Sequence, residues 1–130
     1  MATAYSKEVM KRFKKPKFAR EMKDADAFGE VGNPTCGDVM KIFLKISKNK
    51  KGDEFIKDIS FQTFGCVAAI SASDALCELA KGKTIQEALK ITRDDIIKLL
   101  KGLPSIKFHC SVLGEEALQK AIEDYKKKKK

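Results

Sequence analysis

The sequence predicts a single α+β domain over residues 1–130, in which a small antiparallel sheet of about three strands packs against several α-helices. The chain is 43% hydrophobic, which is enough for one buried core and too little for two ordinary domains. Apolar and polar residues alternate between residues 38 and 64, as in half-buried strands. After Gly65 the apolar residues recur about every 3.6 positions, as in helices.

The N-terminal part is predicted to contain one short helix and one short edge strand. Four apolar residues fall at helical spacing: Tyr5, Val9, Met10 and Phe13. The helix should stop before Pro16, because proline disfavours the helical conformation of the residue before it. The pattern weakens over residues 17–32, which we interpret as a loop with a short edge strand at residues 28–31.

Two longer strands are predicted to form an antiparallel hairpin. The first covers residues 38–47, and one of its faces is apolar: Met40, Ile42, Leu44 and Ile46. The second covers residues 55–64, where Ile59 and Phe61 alternate with polar residues. A polar turn at residues 48–53 joins the two strands.

A helix is predicted from about Gly65 to about Gly82, on the spacing of Val67, Ile70, Ala75, Leu76 and Leu79. Two short helices follow, and each opens with a capping box: Thr84 with Glu87, and Thr92 with Asp95. Gly102 should end the second of them. Residues 103–107 should be extended because they contain Pro104.

The last helix is predicted to begin at about Ser111 and to fray in the lysine run at residues 126–130. Its expected buried residues are Leu113, Ala117, Leu118, Ala121 and Tyr125. The extended segment before it brings His109 and Cys110 to a helix start.

The net charge of +9 is concentrated at the two ends of the chain. Residues 1–20 carry +6 and residues 126–130 carry +5, which leaves −2 for residues 21–125. Because no basic stripe is interleaved with aromatic residues, we expect two solvated basic segments and no nucleic-acid partner. The chain has no long apolar run and no signal-peptide core, so we expect a cytoplasmic protein without a membrane partner.

Potential metal ligands stand at the ends of several predicted elements. They are Cys36, Asp38, Cys66, His109 and Cys110. In a cytoplasmic chain the cysteines are expected to stay reduced, and three thiols, one imidazole and one carboxylate can hold zinc or iron. A Cys-x-Asp or His-Cys pair alone occurs by chance. The presence of three such stretches in one chain, around Cys36 and Asp38, at Cys66, and at His109 and Cys110, predicts a metal site.

The two cysteines of the first long helix are expected to differ. Cys66 stands at the junction between a strand and a helix, where the unpaired amides and the positive end of the helix dipole favour a thiolate. The alternative for Cys66 is a small buried hydrophobic residue. Cys77 follows eleven residues later, roughly 16 Å away along the helix, so it is too distant to share one metal and is assigned to packing.

Asp38 has the same parity as Met40 and Ile42, which places a carboxylate in register with the apolar face of its strand. Burying a carboxylate is costly unless another charge, such as a metal ion, compensates it. The alternative is a strand that begins after Asp38, which would make this residue part of a solvated turn. Periodicity leaves both alternatives open.

Three stretches closely resemble the IscU/NifU-type iron-sulfur cluster assembly scaffolds. They are GNP followed by CGDVM within residues 32–40, FQTFGC at residues 61–66, and LPSIKFHCS at residues 103–111. The three motifs stand in the order and at the separations typical of that family, and the likeness extends from about Ala4 to Tyr125. The length is that of a single-domain scaffold.

The resemblance implies an α+β fold and a [2Fe-2S] cluster site formed by Cys36, Asp38, Cys66, His109 and Cys110. In that family a cysteine desulfurase passes sulfur to a scaffold cysteine as a persulfide, Fe2+ arrives, and the finished cluster is transferred to apo-proteins. The scaffold is a carrier and not an enzyme. Ferredoxin, a frataxin-like protein and an Hsp70-type chaperone are further implied partners. The chaperone motif Leu-Pro-Pro-Val-Lys is altered here, because Ser105 and Ile106 stand within Leu103 to Lys107.

Two expectations concern the chemistry of this site. Zn2+ is the expected resting metal, because zinc binds thiolate and imidazole ligands more tightly than Fe2+ does. Cys110 is the expected persulfide acceptor, because it follows an extended segment and stands at a helix start, where a thiol can be both accessible and partly ionised. Cys36 is the second candidate.

Other classes of metal protein fit the sequence less well. A zinc hydrolase needs an open coordination position and a separate general base, and no spare histidine or glutamate stands beside the three stretches. A zinc-binding regulatory or nucleic-acid-binding protein would use the metal structurally, and its binding to nucleic acid would weaken steeply with salt.

Overall fold

A computed structural model of the protein describes residues 6–33, 38–64, 67–102 and 108–129, with the backbone alone at residues 33, 38, 64, 108–111, 128 and 129. The elements in chain order are α1 (Lys7–Lys14), β1 (Ala27–Asn33), β2 (Asp38–Lys48), β3 (Glu54–Phe64), α2 (Val67–Ala80), α3 (Ile85–Ala88), α4 (Arg93–Leu99) and α5 (Phe108–Lys129). The predicted α+β class is confirmed.

The three strands form one antiparallel sheet in the order β1-β2-β3, so β1 is the predicted edge strand and β2 and β3 are the predicted hairpin. Of the residues expected on the apolar face, Met40, Ile42, Leu44, Ile59 and Phe61 are no more than 1% exposed, whereas Ile46 is only partly buried. A register shift between Lys45 and Ile46 interrupts the β2–β3 pairing. The sheet therefore confirms the strand assignments, and its inner face carries the core.

The opposite face of the sheet is less polar than simple alternation suggests. Phe43 and Ser60 pair across β2 and β3 on this face, and both are buried. The Phe43 ring lies 6.4 Å from the Phe28 ring, and Lys41 Nζ lies 4.4 Å from the Phe28 ring centroid. Phe28 is nevertheless 44% exposed, which leaves an aromatic and basic surface on this side.

Helices α2 and α5 cover the inner face of the sheet. Helix α2 buries a row of small residues together with Leu76 and Cys77. Helix α5 passes so close to β1 that a Cβ on Gly29 would lie 2.3 Å from the backbone nitrogen of Ala121. Only glycine fits at this crossing, which sets the position of α5 on the sheet.

Ser6 caps the start of α1, because its side chain accepts a hydrogen bond from the Val9 amide, and the helix ends before Pro16 as predicted. Val9 is completely buried, whereas Phe13 is 37% exposed. Tyr5, which also belongs to the predicted helical pattern, lies outside the described residues. The hydroxyl of Ser71 donates to the Val9 carbonyl at 2.7 Å and fastens α1 to α2.

Both predicted capping boxes are present, at Thr84 with Glu87 and at Thr92 with Asp95. The positive φ of 85° at Gly82 and of 106° at Gly102 matches their predicted roles at helix ends. The segment 103–107 and its predicted extended conformation lie outside the described residues.

The predicted limits of the last helix were wrong at both ends. Helix α5 begins at Phe108, three residues before Ser111, and it continues through the lysine run to Lys129. Lysine is a good helix former, and its positive charge is favourable at the negative C-terminal end of a helix. The early start places His109 and Cys110 inside the first turn. Over the described residues, no helix is both long and apolar enough to cross a membrane.

Candidate metal centre

The strand ends that flank two of the three motifs meet at one end of the sheet. Asp38 is the first residue of β2, and the next residue, Val39, pairs with Phe64, the last residue of β3. The Thr63 hydroxyl donates to the Val39 carbonyl at 2.5 Å and joins the two strand ends further. The strand β3 is followed by α2, which begins at Val67. The end of β3, two residues before Cys66 in the sequence, is therefore next to the start of β2.

The orientation of α5 brings the third motif to the same end. A Cβ on Gly114 would lie 3.7 Å from Met40 Sδ and 3.4 Å from Leu76 Cδ2, so this part of α5 lies over the beginning of β2. The other end of α5 is fastened to the opposite end of the sheet, because Tyr125 donates a hydrogen bond to the carboxylate of Glu54, the first residue of β3. The first turn of α5 is therefore at the same end of the sheet as Asp38.

The structure places the predicted ligands to different extents. Asp38 is within β2 and its Cα pairs with Asn33, so the alternative in which the strand begins after Asp38 was wrong. His109 and Cys110 are the second and third residues of α5. Cys36 and Cys66 lie outside the described residues. The fold thus gathers the segments that carry the ligands, while the individual ligand assignments stay predictions.

The two helices that begin at this end share an electrostatic property. Neither α2 nor α5 has an acidic residue in its first turn, whereas α1, α3 and α4 each have at least one. The positive N-terminal ends of α2 and α5 are therefore not neutralised locally, and they favour nearby anions. Cys66 directly precedes α2 and Cys110 lies in the first turn of α5, so both are at positions that favour a thiolate.

Cys77 is in the opposite situation, as its assignment to packing predicted. Its side chain is fully buried in the core cluster. Burial, together with the negative charge of Asp74, raises the pKa of the Cys77 thiol well above its ordinary value. This thiol is therefore neutral and unreactive.

Sequence reasoning missed a buried ion pair between α1 and α2. Arg12 Nη1 lies 2.8 Å from Asp74 Oδ2, and Asp74 Oδ1 also accepts hydrogen bonds from the backbone amides of Lys17 and Phe18. Burial lowers the pKa of Arg12, but hydrogen bonds and charges from Glu78 and Asp74 outweigh it and raise the pKa. The available signal was Asp74 itself, an acid in an otherwise alanine-rich helix.

Among the side chains that the structure describes, no group of three His, Cys, Asp or Glu residues is close enough together to hold a metal ion. Asp74 and Glu78, the acids of α2, are engaged by Arg12, at 2.8 and 3.1 Å.

Comparison with known proteins agrees with this arrangement. The family model described as NifU-like N terminal domain matches residues 4–130. The iron-sulfur cluster assembly scaffold protein IscU 1 of Archaeoglobus fulgidus is 52% identical over 124 residues, which cover 95% of this chain and 78% of that protein. The iron-sulfur cluster assembly scaffold protein IscU of Buchnera aphidicola subsp. Acyrthosiphon pisum is 44% identical over 129 residues, covering 97% and 98% of the two chains.

A crystal structure of a NifU-like protein (N-terminal) from Brucella abortus superposes with a TM-score of 0.72, covering 95% of this chain and 94% of the other, at 17% identity. At that identity the likeness supports the fold alone. The family model and the two scaffold proteins match nearly the whole sequence, and these matches show the family. The start of β2, the end of β3 and the start of α5, which adjoin the three motifs, lie at one end of the sheet, and the chain belongs to the NifU-like N-terminal domain family.

Proposed function

We propose that this protein is an iron-sulfur cluster assembly scaffold, a carrier that builds a [2Fe-2S] cluster and transfers it to apo-proteins. The observation that supports this most directly is the convergence of the start of β2, the junction between β3 and α2, and the start of α5 at one end of the sheet. The similar proteins from Archaeoglobus and Buchnera bear the name of such scaffolds.

The proposed ligands are Cys36, Asp38, Cys66, His109 and Cys110. Thiolates are the usual ligands of iron-sulfur clusters, and imidazole can replace a thiolate. The positive ends of α2 and α5 support this set, because they stabilise thiolates before the metal binds. The set also suits Zn2+, which we propose as the resting metal. Elemental analysis of the purified protein should find zinc, and a metal-free protein with all five residues intact and its cysteines reduced would contradict a preformed site.

Sulfur is proposed to enter at Cys110. The Cys110 thiolate attacks the outer sulfur of the persulfide on the desulfurase cysteine, a new S–S bond forms, and the desulfurase cysteine leaves as a thiolate. The position of Cys110 in the first turn of α5 supports its ionisation. Cys36 is the second candidate. Mass spectrometry after a single turnover of the desulfurase should find the added sulfur on Cys110, and a label confined to Cys66 or Cys77 would contradict this assignment.

The proposed partners follow from this cycle. A cysteine desulfurase supplies sulfur, apo-proteins receive the cluster, and a ferredoxin and a frataxin-like protein take part in assembly. An Hsp70-type chaperone would bind residues 103–107, which lie outside the described residues and carry the altered sequence LPSIK. Isothermal titration of the protein with the chaperone would measure whether this sequence is still bound.

Anaerobic reconstitution tests the proposed function. The protein is mixed with Fe2+, cysteine and a catalytic amount of desulfurase, and the visible absorption of the cluster is followed. The loaded protein is then mixed with an apo-ferredoxin, whose own spectrum reports the transfer. We expect a [2Fe-2S] spectrum that appears only with desulfurase and then moves to the ferredoxin. A folded, reduced protein that forms no cluster, or forms one that never leaves, would contradict the scaffold function.

A further inference from the structure

A groove with a volume of about 530 Å³ lies on the surface between the C-terminal end of α2 and the two short helices α3 and α4. Three apolar residues form its floor: Leu79, Ile91 and Leu99. Leu79 and Leu99 pack on the core but remain partly exposed, whereas Ile91 is 8% exposed. A depression of this size accepts several side chains of a partner.

Three lysines stand around this floor. Lys83 comes from the turn between α2 and α3, Lys90 from the link between α3 and α4, and Lys98 from α4 itself. All three side chains are exposed. Within the part of the chain that the structure describes, none of them forms a salt bridge. The groove thus combines an apolar floor with a rim of ammonium groups that have no ion-pair partner in the described chain.

The two acids that line the groove are already engaged. Glu87 Oε1 accepts a hydrogen bond from the Thr84 amide at 3.0 Å, and Asp95 Oδ2 accepts one from the Thr92 amide at 2.9 Å. Each carboxylate therefore faces the positive end of a short helix, which partly offsets its charge. The hydrogen bonds to Thr84 hold the pKa of Glu87 below its ordinary value, and the charges of Lys83 and Lys90 contribute less. The rim is left with an excess of positive charge.

We propose that this groove binds an acidic amphipathic segment of a partner protein. Apolar side chains of the segment would rest on Leu79, Ile91 and Leu99, and its carboxylates would pair with Lys83, Lys90 and Lys98. The lysines come from three separate elements around an apolar floor, so a compact anion does not match the arrangement as well as an elongated segment does. A helix with apolar residues three or four positions apart and acids beside them has the required pattern.

The position of the groove suits a docking site that leaves the metal centre free. Leu79 follows Cys66 by thirteen residues, so the two ends of α2 are roughly 20 Å apart. A partner bound in the groove can stay bound while the cluster is built or released at the other end of the molecule. The proposal depends on the charges and the shape of the groove alone, and it can be tested without any cluster.

Because the partner is unidentified, the proposal is tested by selecting peptides from a random library. The full chain is used to select binders from random phage-displayed peptides of about 16 residues, long enough for about four helical turns. Enriched peptides are synthesised with a fluorescent label, and their affinity is measured by anisotropy. The test variant combines Lys83→Glu, Lys90→Glu and Lys98→Glu. The matched control combines Lys23→Glu, Lys50→Glu and Lys51→Glu, which change the same charge at exposed positions outside the groove.

We expect the enriched peptides to combine acids with apolar residues three or four positions apart. Their affinity should fall at least about tenfold in the groove variant and change less than about twofold in the control. A neutral variant with glutamine at the same three groove positions should lose an intermediate amount, and far-UV circular dichroism checks that each variant is folded. The absence of enriched peptides, equal losses in both variants, displacement by a second copy of this chain, or preference for a fatty-acid anion over the peptides would overturn the proposal.

Discussion

Two regions of the molecule, one at the start of α2 and one in its C-terminal half, each have a cysteine and an aspartate, but in different settings. At the N-terminal end, Cys66 directly precedes the helix and Asp38 begins the neighbouring strand. In the C-terminal half, Cys77 and Asp74 are both buried, with 0% and 1% exposure. The first pair lies where a helix begins without acids, and the second pair lies inside the protein, where the acid is neutralised by Arg12 and the thiol stays protonated.

From this difference we expect the chemistry of these residues to depend on their position within an element more than on residue type. A helix start supplies unpaired amides and a positive potential, so it favours anionic ligands. The middle of a packed helix supplies neither, so a cysteine there behaves as a small apolar residue. Matched substitutions in the two regions are therefore the most informative tests.

The largest expected effect separates the two cysteines. Cys66→Ser should lower the yield of reconstituted cluster more than about tenfold, because it removes a proposed ligand and such losses exceed those of supporting groups. Cys77→Ser should leave the yield per folded molecule unchanged. It should instead lower the free energy of unfolding by about 1 kcal/mol or more, because it buries a hydroxyl in an apolar site.

Visible absorption after reconstitution and urea unfolding of the same samples measure both quantities. The variant Cys77→Ala controls for the loss of packing alone. Equal cluster yields for Cys66→Ser and wild type would remove Cys66 from the ligand set and would erase the difference between the two ends of α2.

The second effect concerns stability at the buried end. Asp74→Ala should lower the free energy of unfolding by about 3 kcal/mol, because the buried Arg12 loses a partner and two backbone amides lose their acceptor. Glu116→Ala, which changes an exposed acid on α5, should cost less than about 0.5 kcal/mol. Urea unfolding compares the two variants. If both cost the same, Asp74 does not anchor α1, and its burial has no energetic role.

Much of the fold could be predicted because its signals are local. Alternation identified both long strands, and the capping boxes identified the starts of α3 and α4. The burial of Ser60 could not be predicted in this way. The pairing of Ala19 with Phe61 was not predicted either, because such a long-range contact leaves no trace in a local pattern. The Arg12–Asp74 pair, separated by 62 residues, was missed for the same reason.

The metal centre was predictable as a set of segments, because each ligand motif stands at a strand or helix end. The convergence of the motifs follows from topology, since antiparallel pairing places the start of β2 beside the end of β3. The start of α5 was misplaced because the extended conformation expected around Pro104 was carried too far along the chain, although Phe108 stands four residues before Val112, at helical spacing. The need for glycine at position 29 could not be predicted, because it comes from the backbone of α5, which crosses β1 there.

A third effect tests Asp38, the one carboxylate among the proposed ligands. A carboxylate binds iron in a cluster less strongly than a thiolate does, so its departure can open a position for an acceptor thiol. Asp38→Ala should still assemble a cluster, hold it longer, and transfer it roughly fivefold more slowly, which corresponds to about 1 kcal/mol in the barrier. Transfer to apo-ferredoxin, followed by absorption, measures the rate. An unchanged lifetime and transfer rate would indicate that Asp38 has no part in release.

The smallest effect comes from the end of α5 opposite to His109 and Cys110. The hydrogen bond to Glu54, with burial and the charges of Glu54 and Asp26, raises the pKa of Tyr125 to about 12. The folded state therefore holds this proton more tightly than the unfolded state does, where the pKa is about 10. The resulting stability is complete below about pH 10 and is lost as the pH rises through about 12.

Tyr125→Phe should remove this loss. The free energy of unfolding of the wild type should therefore fall more steeply between pH 10 and pH 12 than that of the variant, by less than about 1 kcal/mol because the phenol is partly exposed. Lysines also titrate in this range, so the informative quantity is the difference between the two proteins. Glu54→Gln is the matched control, since it keeps the phenol, removes the neighbouring charge and should return the pKa of Tyr125 toward its ordinary value. Tyrosinate absorbance in the ultraviolet follows that pKa directly. Identical pH profiles for wild type and Tyr125→Phe would show that the contact between α5 and β3 does not depend on this proton, and that the end of α5 distant from the metal centre is held by packing alone.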